Sequence, residues 1–363
     1  MNNVYEFDVV IVGAGVIGLS IAWELSNVYD NILLIEKEES FGHHISSHNS
    51  EIIHSGIYYP KETLKTKLCV EGNKLLYQFL DKYNLPHKRC GKFIVATRDA
   101  EERVLEQLYK QGIENNIGTL EFLDKQEVNA IEPALKCTSA LHVHSTGIVD
   151  THSVMRMLEY LSQENGVIVL YNTELSKINT KNNVYEMTTK NDDVLIQAKV
   201  VVNSAGLWSD QVAKMVGIEN YELKWSKGEY YRTSKHKNMK KLVYPVPDPE
   251  GKYLGIHTVL DLDGGLSFGP NAYYVDDLNY NMTSDNKAQF HEAINRYLDI
   301  SWDDLYPAMT GIRPKLQAQS DLFKDFVIEN NSEYKNFINL IGIESPGLTS
   351  CLAIAKYVRE IIE

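Results

Sequence analysis

One run near the start, "FDVVIVGAGVIGLSIAWELSNVYDNILLIEK" from Phe7 to Lys37, limits the possible folds of this chain more than any other. It opens on consecutive aliphatic residues, a pattern suited to a parallel strand buried on both faces. Gly13, Gly15 and Gly18 follow as GxGxxG, and the next apolar residues recur at helical spacing. A second apolar stretch ends at Glu36. Gly13 permits a tight turn, Gly15 lets backbone approach a pyrophosphate, and Gly18 lets the helix lie close on the strand. Phosphates would meet the exposed N–H groups and positive pole of that helix. Glu36 can accept from a ribose 2′-hydroxyl and would repel a 2′-phosphate, which disfavours NADP. The fingerprint fits both NAD and FAD. An NAD domain would continue as compact alternating strands and helices; here a polar loop follows instead, which favours FAD.

At 363 residues the chain exceeds one small core and predicts two domains, or one large α/β body with an insert. A net charge of −13 argues against a nucleic-acid partner, because such binding rests on Lys and Arg at phosphates. It leaves room for a small anionic substrate in a local basic pocket. Cys69, Cys90, Cys137 and Cys351 form no CxxC pair, so neither a thiolate metal site nor a disulfide framework is expected. Val9–Trp23 is uncharged, but it is short for a membrane span and broken by glycines, and it lacks signal-peptide flanks. The expected location is cytoplasmic, with peripheral contact at the inner face of a membrane as the alternative. "HVH" puts His142 and His144 on one face of a strand, but no carboxylate or cysteine set in the sequence completes the shell. No metal is therefore expected there, nor at His43, His44 or His152.

Further on, residues 64–84 have helical apolar spacing, "CGKFIVATR" reads as a strand, and "AEERVLEQLYKQGIENN" as an amphipathic helix. Asp150 or Thr151 can cap the helix that follows "STGIV". "AKVVVNSAG" ends in Ser204, Ala205 and Gly206 before another helix, a second junction able to bring backbone N–H groups to a cofactor. Between Tyr221 and Met309, tyrosines are dense and β-like alternation recurs, predicting an antiparallel sheet in a second domain. "ESPGLTSCLAIAKYVREII" closes the chain; Ser345, Gly347, Leu348 and Thr349 open a helix whose N-terminus can point at a ligand.

The accumulated motifs resemble the FAD-dependent D-amino-acid-oxidase-like family, and within it the L-2-hydroxyglutarate dehydrogenase/oxidase branch. The matching blocks are "VVIVGAGVIGLSIAWEL", "SSHNSEIIHSGIYYPKETLKTKLCVEG", "STGIVDTHSVM", "VVNSAGLWSD", "YPVPDPEGKYLGIHTVLDLDGGLSFGPNA" and "ESPGLTSCLAIAKYV". The chain departs from that branch at "GIRPKL", where Pro314 and Lys315 are closer to the GxRP form of sister enzymes acting on glycerol 3-phosphate or amino acids.

The resemblance implies an α/β fold (α+β overall): a Rossmann-like FAD-binding domain from residues 1–85, 145–218 and 311–363, and a mainly antiparallel β-sheet substrate domain from 86–144 and 219–310. It implies oxidation of a small 2-hydroxy acid, L-2-hydroxyglutarate to 2-oxoglutarate, by hydride transfer to flavin N5. An amino-acid, amine or glycerol-3-phosphate oxidoreductase is the alternative. Arg313 would fork the substrate carboxylate. His257 is the first candidate base and His54 the second. Ser46, Ser47, His48 and Asn49, with Glu36 and Lys37, would contact FAD; Tyr59, Lys67 and Tyr244 would contact substrate, and Tyr58 and Lys65 could line the same anion site. The electron acceptor stays open among oxygen, a quinone and a carrier protein.

Overall fold

A computed structural model describes residues 4–182, 184–190, 194–247, 255–318, 321 and 323–362. Residues 248–254 of the "YPVPDP" block lie outside them. Val4–Val12 runs through an eight-stranded sheet, pairing in parallel with Ile32–Ile35 on one side and Leu195–Asn203 on the other. Val10 stands between Leu33 and Val201, all three buried. Ile168–Leu170 and Phe337–Ile341 extend the parallel part, while Leu175–Lys181, Val184–Thr189 and Val327–Asn330 add antiparallel edges.

The unbroken apolarity of the first strand has its cause in this layering. The helix Val16–Leu25 packs with Thr151–Glu164 and Gly347–Ile361 on one face. Ser209–Met215 supplies Val212 and Ala213 to the other. Asp150 caps Thr151–Glu164 by accepting from Ser153 N.

A second body holds a five-stranded antiparallel sheet of Lys224–Thr233, His257–Leu260, Leu266–Gly269, Tyr273–Val275 and Tyr306–Lys315. A four-stranded sheet joins it through a shared core of Phe93, Tyr231, Tyr244, Phe268 and Phe290. This sheet is antiparallel except that Leu242–Pro245 lies parallel to Lys92–Ala96. The sequence division at 310/311 falls inside a strand: Tyr306–Lys315 pairs with Lys224–Thr233, through a register shift at Tyr230/Tyr231, as far as Lys224↔Lys315. Pro314, which lacks an N–H, lies one residue before the end of that strand. Among the described residues no helix is long and apolar enough to cross a membrane.

Candidate active site

Three strand-to-helix junctions converge. At the first, Gly13 has φ +100° and donates its N–H to Ile35 O at 2.8 Å. A Cβ on Gly18 would stand 1.9 Å from Gly13 O, so only glycine lets the helix sit this close. Glu36 ties the turn to the second strand: Oε2 accepts from Ala14 N at 2.8 Å and Oε1 from Glu38 N at 3.0 Å. The helix starts after Gly15 with no side-chain cap of its own; Ser46 Oγ crosses from the polar loop to accept from Val16 N at 3.0 Å. At the second junction Ser204 Oγ donates to Val12 O at 2.8 Å, leaving Ala205 and Gly206 at the surface of the cleft. At the third, Gly347–Ile361 begins after Pro346, again without a side-chain cap. Thus neither helix start carries a cap from its own N-cap side chain, and both open on one cavity.

That cavity measures about 1160 Å³, above the roughly 300–1,000 Å³ of common small-ligand sites. Gly13, Gly15, Glu36 and Lys37 line it, with Ser46, His48, Asn49 and His54 from the loop. Ser204, Ala205, Gly206, Ser345, Gly347, Leu348, Tyr59, Tyr244, His257 and Arg313 line it too. Gly18, Ser47 and Thr349 stand behind the lining. Ser47 Oγ donates to Gly42 O and bonds His152 Nε2, and Thr349 Oγ1 accepts from His54 N at 2.9 Å, fixing that backbone.

Lys67 is elsewhere. It is exposed on the helix Leu64–Lys82 and pairs with Glu62 at 2.8 Å. Its neighbour Lys65, two residues earlier on that helix, is the one that turns inward.

The substrate sheet is brought against the loop by backbone contact. His48 Nδ1 donates to Thr310 O at 2.9 Å, and a Cβ on Gly311 would lie 2.4 Å from His48 O. Gly228 faces Gly311 in the strand register, and a side chain there would crowd Pro270 and Arg313. The Arg313 guanidinium donates through Nη2 to Asn271 O at 3.1 Å. Lys65 Nζ and Lys315 Nζ donate to one oxygen, Glu344 Oε1, at 3.1 and 2.9 Å. Burial alone would raise the Glu344 carboxyl; Lys65, Lys315 and Arg313 outweigh it and hold it at about 2. Three cations against one carboxylate leave this cluster two positive charges in surplus.

His257 Nδ1 donates to Thr258 O at 3.1 Å, which leaves Nε2 as the acceptor nitrogen. Burial pushes its pKa down to about 3; the Thr258 bond opposes this, and Lys92 and Arg313 add to it. His54 Nε2 lies 3.2 Å from Ser345 Oγ, and burial, with Lys92 and His257, likewise holds it at about 3. Both imidazoles are therefore neutral near pH 7.

Lys92, Lys315 and Glu344 were not among the residues singled out from the sequence as site candidates. Lys92 is 1% exposed, with Nζ 4.4 Å from the Tyr58 ring centre and 4.5 Å from that of Tyr244, and burial lowers its pKa to about 7. Nothing in "CGKFIVATR" marks it, since its burial comes from strands far apart in sequence. Glu344, directly before "SPG", could have been found as an acid at the mouth of the last helix. The Tyr58 and Tyr244 hydroxyls, both in the lining, are buried and have no hydrogen-bond partner among the described residues. Such orphans cost about 1–3 kcal/mol unless a ligand meets them.

Of the histidines weighed for metal, His43 bonds Ser40, and His44 lies between Glu38 and Tyr280. His142 and His144 do acquire a carboxylate: Glu121, from the adjoining strand, stands opposite His142. Long-range pairing thus brings the two histidines a carboxylate that no neighbouring stretch of sequence supplied.

The family model "FAD dependent oxidoreductase" matches residues 8–361. The L-2-hydroxyglutarate dehydrogenase, mitochondrial, of Arabidopsis thaliana is 36% identical, over 97% of this chain and 82% of its own. A glycerol 3-phosphate dehydrogenase of Caloramator mitchellensis is 35% identical, over 98% and 74%. The FAD-bound, dithionite-reduced L-alpha-glycerophosphate oxidase of Mycoplasma pneumoniae superposes with a TM-score of 0.89 at 27% identity, over 98% of this chain and 94% of that one. The residues present fit FAD: an acid, Glu36, ends the second strand beside the glycine turn, two helix starts face the cavity, and glycines stand where side chains would fill the cradle. The chain belongs to the FAD-dependent oxidoreductase family and uses FAD as its cofactor.

Proposed function

We propose that this enzyme oxidises a small dianionic secondary alcohol, with L-2-hydroxyglutarate, converted to 2-oxoglutarate, as the leading substrate. The observation that carries the reading is the surplus of two positive charges where Arg313, Lys65 and Lys315 surround Glu344 beside two neutral histidines. A dianion complements that surplus; a zwitterionic amino acid, with no net charge, gains less from it. Bound FAD supplies the two-electron acceptor. Arg313 forks the carboxylate next to the reacting carbon. Lys65 and Lys315 draw the distal anionic group. His257 Nε2, its tautomer set by Thr258 O, takes the hydroxyl proton. A negative substrate beside this ring raises its proton affinity at the moment it is needed.

Glycerol 3-phosphate is the second reading. It too is a dianionic secondary alcohol, and Pro314 and Lys315 resemble the GxRP form. Anaerobic mixing of the purified yellow protein with a substrate panel separates the two. Loss of oxidised-flavin absorbance with L-2-hydroxyglutarate, and none with glycerol 3-phosphate or amino acids, is the expected result. Bleaching by glycerol 3-phosphate alone would establish the second reading, and bleaching by amino acids alone would overturn both.

A further inference from the structure

We propose that Glu121, His142 and His144 form a zinc-class divalent metal site on the second body, separate from the FAD cavity. Leu120–Asp124 is the edge strand of the four-stranded sheet and pairs antiparallel with Ser139–Val143, placing Glu121 opposite His142. His144, two residues beyond His142, is held by its N–H to Thr119 O at 3.3 Å. Glu121 Oε2 lies 3.7 Å from His142 Nδ1 and 3.3 Å from His144 Nε2, and the three ligand atoms all lie within 4.8 Å of one another. Ligands bound to zinc at about 2.0–2.2 Å in a tetrahedron stand about 3.4 Å apart, near the two measured separations; the His142 and His144 rings, with centres 3.7 Å apart, need only turn to aim both nitrogens at one ion.

The donor set suits the ion. Two imidazoles and one carboxylate are ligands of borderline-soft divalent metals, and three protein ligands leave a fourth position for water. His142 is 5% exposed and packs edge-on against Phe93, which restrains its ring. Lys241 is the opposing charge; the Glu121 carboxylate offsets it. None of the three ligands lines the FAD cavity, so an ion here would clamp the edge strand to its neighbour and leave the redox centre untouched.

The test uses the chelator-treated holoenzyme and Co²⁺ as the spectroscopic probe, with Zn²⁺ as competitor. Glu121 and His144 are exposed side chains, so Glu121→Gln and His144→Ala fold without loss of core packing. One equivalent of Co²⁺ giving tetrahedral bands to the red of the flavin, displaced by Zn²⁺, is the expected result. Binding should be at least about tenfold weaker in either variant, with the flavin spectrum unchanged. Zinc should also raise the melting temperature of the parent protein and not that of the variants. No binding, octahedral Co²⁺ only, or equal binding by all three proteins would overturn the assignment.

Discussion

The imidazole of His257 lies flat on the phenol of Tyr244, with ring centres 3.8 Å apart and planes 9° from parallel. The contact joins a strand of the antiparallel sheet to one of the four-stranded sheet and fixes the histidine ring in its plane. With Nδ1 donating to Thr258 O, stacking and tautomer together determine where Nε2 stands. A rigid acceptor at a cavity wall is what proton abstraction requires.

Replacing that acceptor should therefore affect turnover more than binding. His257→Gln is expected to lower kcat about 10²–10⁴-fold with little change in KM, as for loss of a general base. His54→Gln should cost less. Rapid-mixing reduction of the flavin measures both, and the reverse order of losses would make His54 the base.

Acid should destabilise the fold through the same ring. His257 is neutral when folded, with a pKa of about 3, and titrates near its ordinary value of about 6.5 when unfolded. Between those values the unfolded chain holds a proton that the folded chain does not. Stability is then fully present above about 6.5 and falls by up to about 1.4 kcal/mol for each pH unit below it. Denaturant midpoints at pH 7 and pH 5 measure this. The His257→Gln variant should show a shallower pH dependence; an identical slope would remove His257 as a cause.

Charge should select the substrate at its distal end. Lys315→Gln is expected to raise KM for L-2-hydroxyglutarate by about tenfold or more, one charge-assisted bond being worth about 1.5–3 kcal/mol. KM for a monoanionic 2-hydroxy acid such as lactate should move little. Equal changes for both acids would show that Lys315 acts through packing and not through the second anionic group.

Two lysines on one helix should behave oppositely. Lys67→Ala removes an exposed, solvent-screened pair with Glu62 and should leave both the melting temperature and KM nearly unchanged. Lys65→Met leaves Glu344 with one fewer cation in a buried cluster and should raise KM while lowering the melting temperature. Steady-state kinetics with thermal melts of the two variants check this.

The sequence by itself determined the nucleotide-binding half. Its signals are local: strand, glycine turn, helix and acid lie within thirty residues, and Gly18 is demanded by a contact inside that unit, with Gly13 O, although a Cβ on Gly13 or Gly15 would meet Ser204 O or Ser46 Oγ from outside it. Arg313, His257 and His54 were legible as candidates through the blocks around them. Only the tertiary structure decided which charges face inward. Lys65 and Lys67 look alike in "TLKTKL", yet a rotation of two residues about a helix puts one on Glu344 and the other in solvent. Lys92 lies under two tyrosines, and Glu121 stands beside His142, because strands distant in sequence pair across the second body. Burial and charge pairing are sums over such long-range neighbours, and no short stretch of sequence contains them.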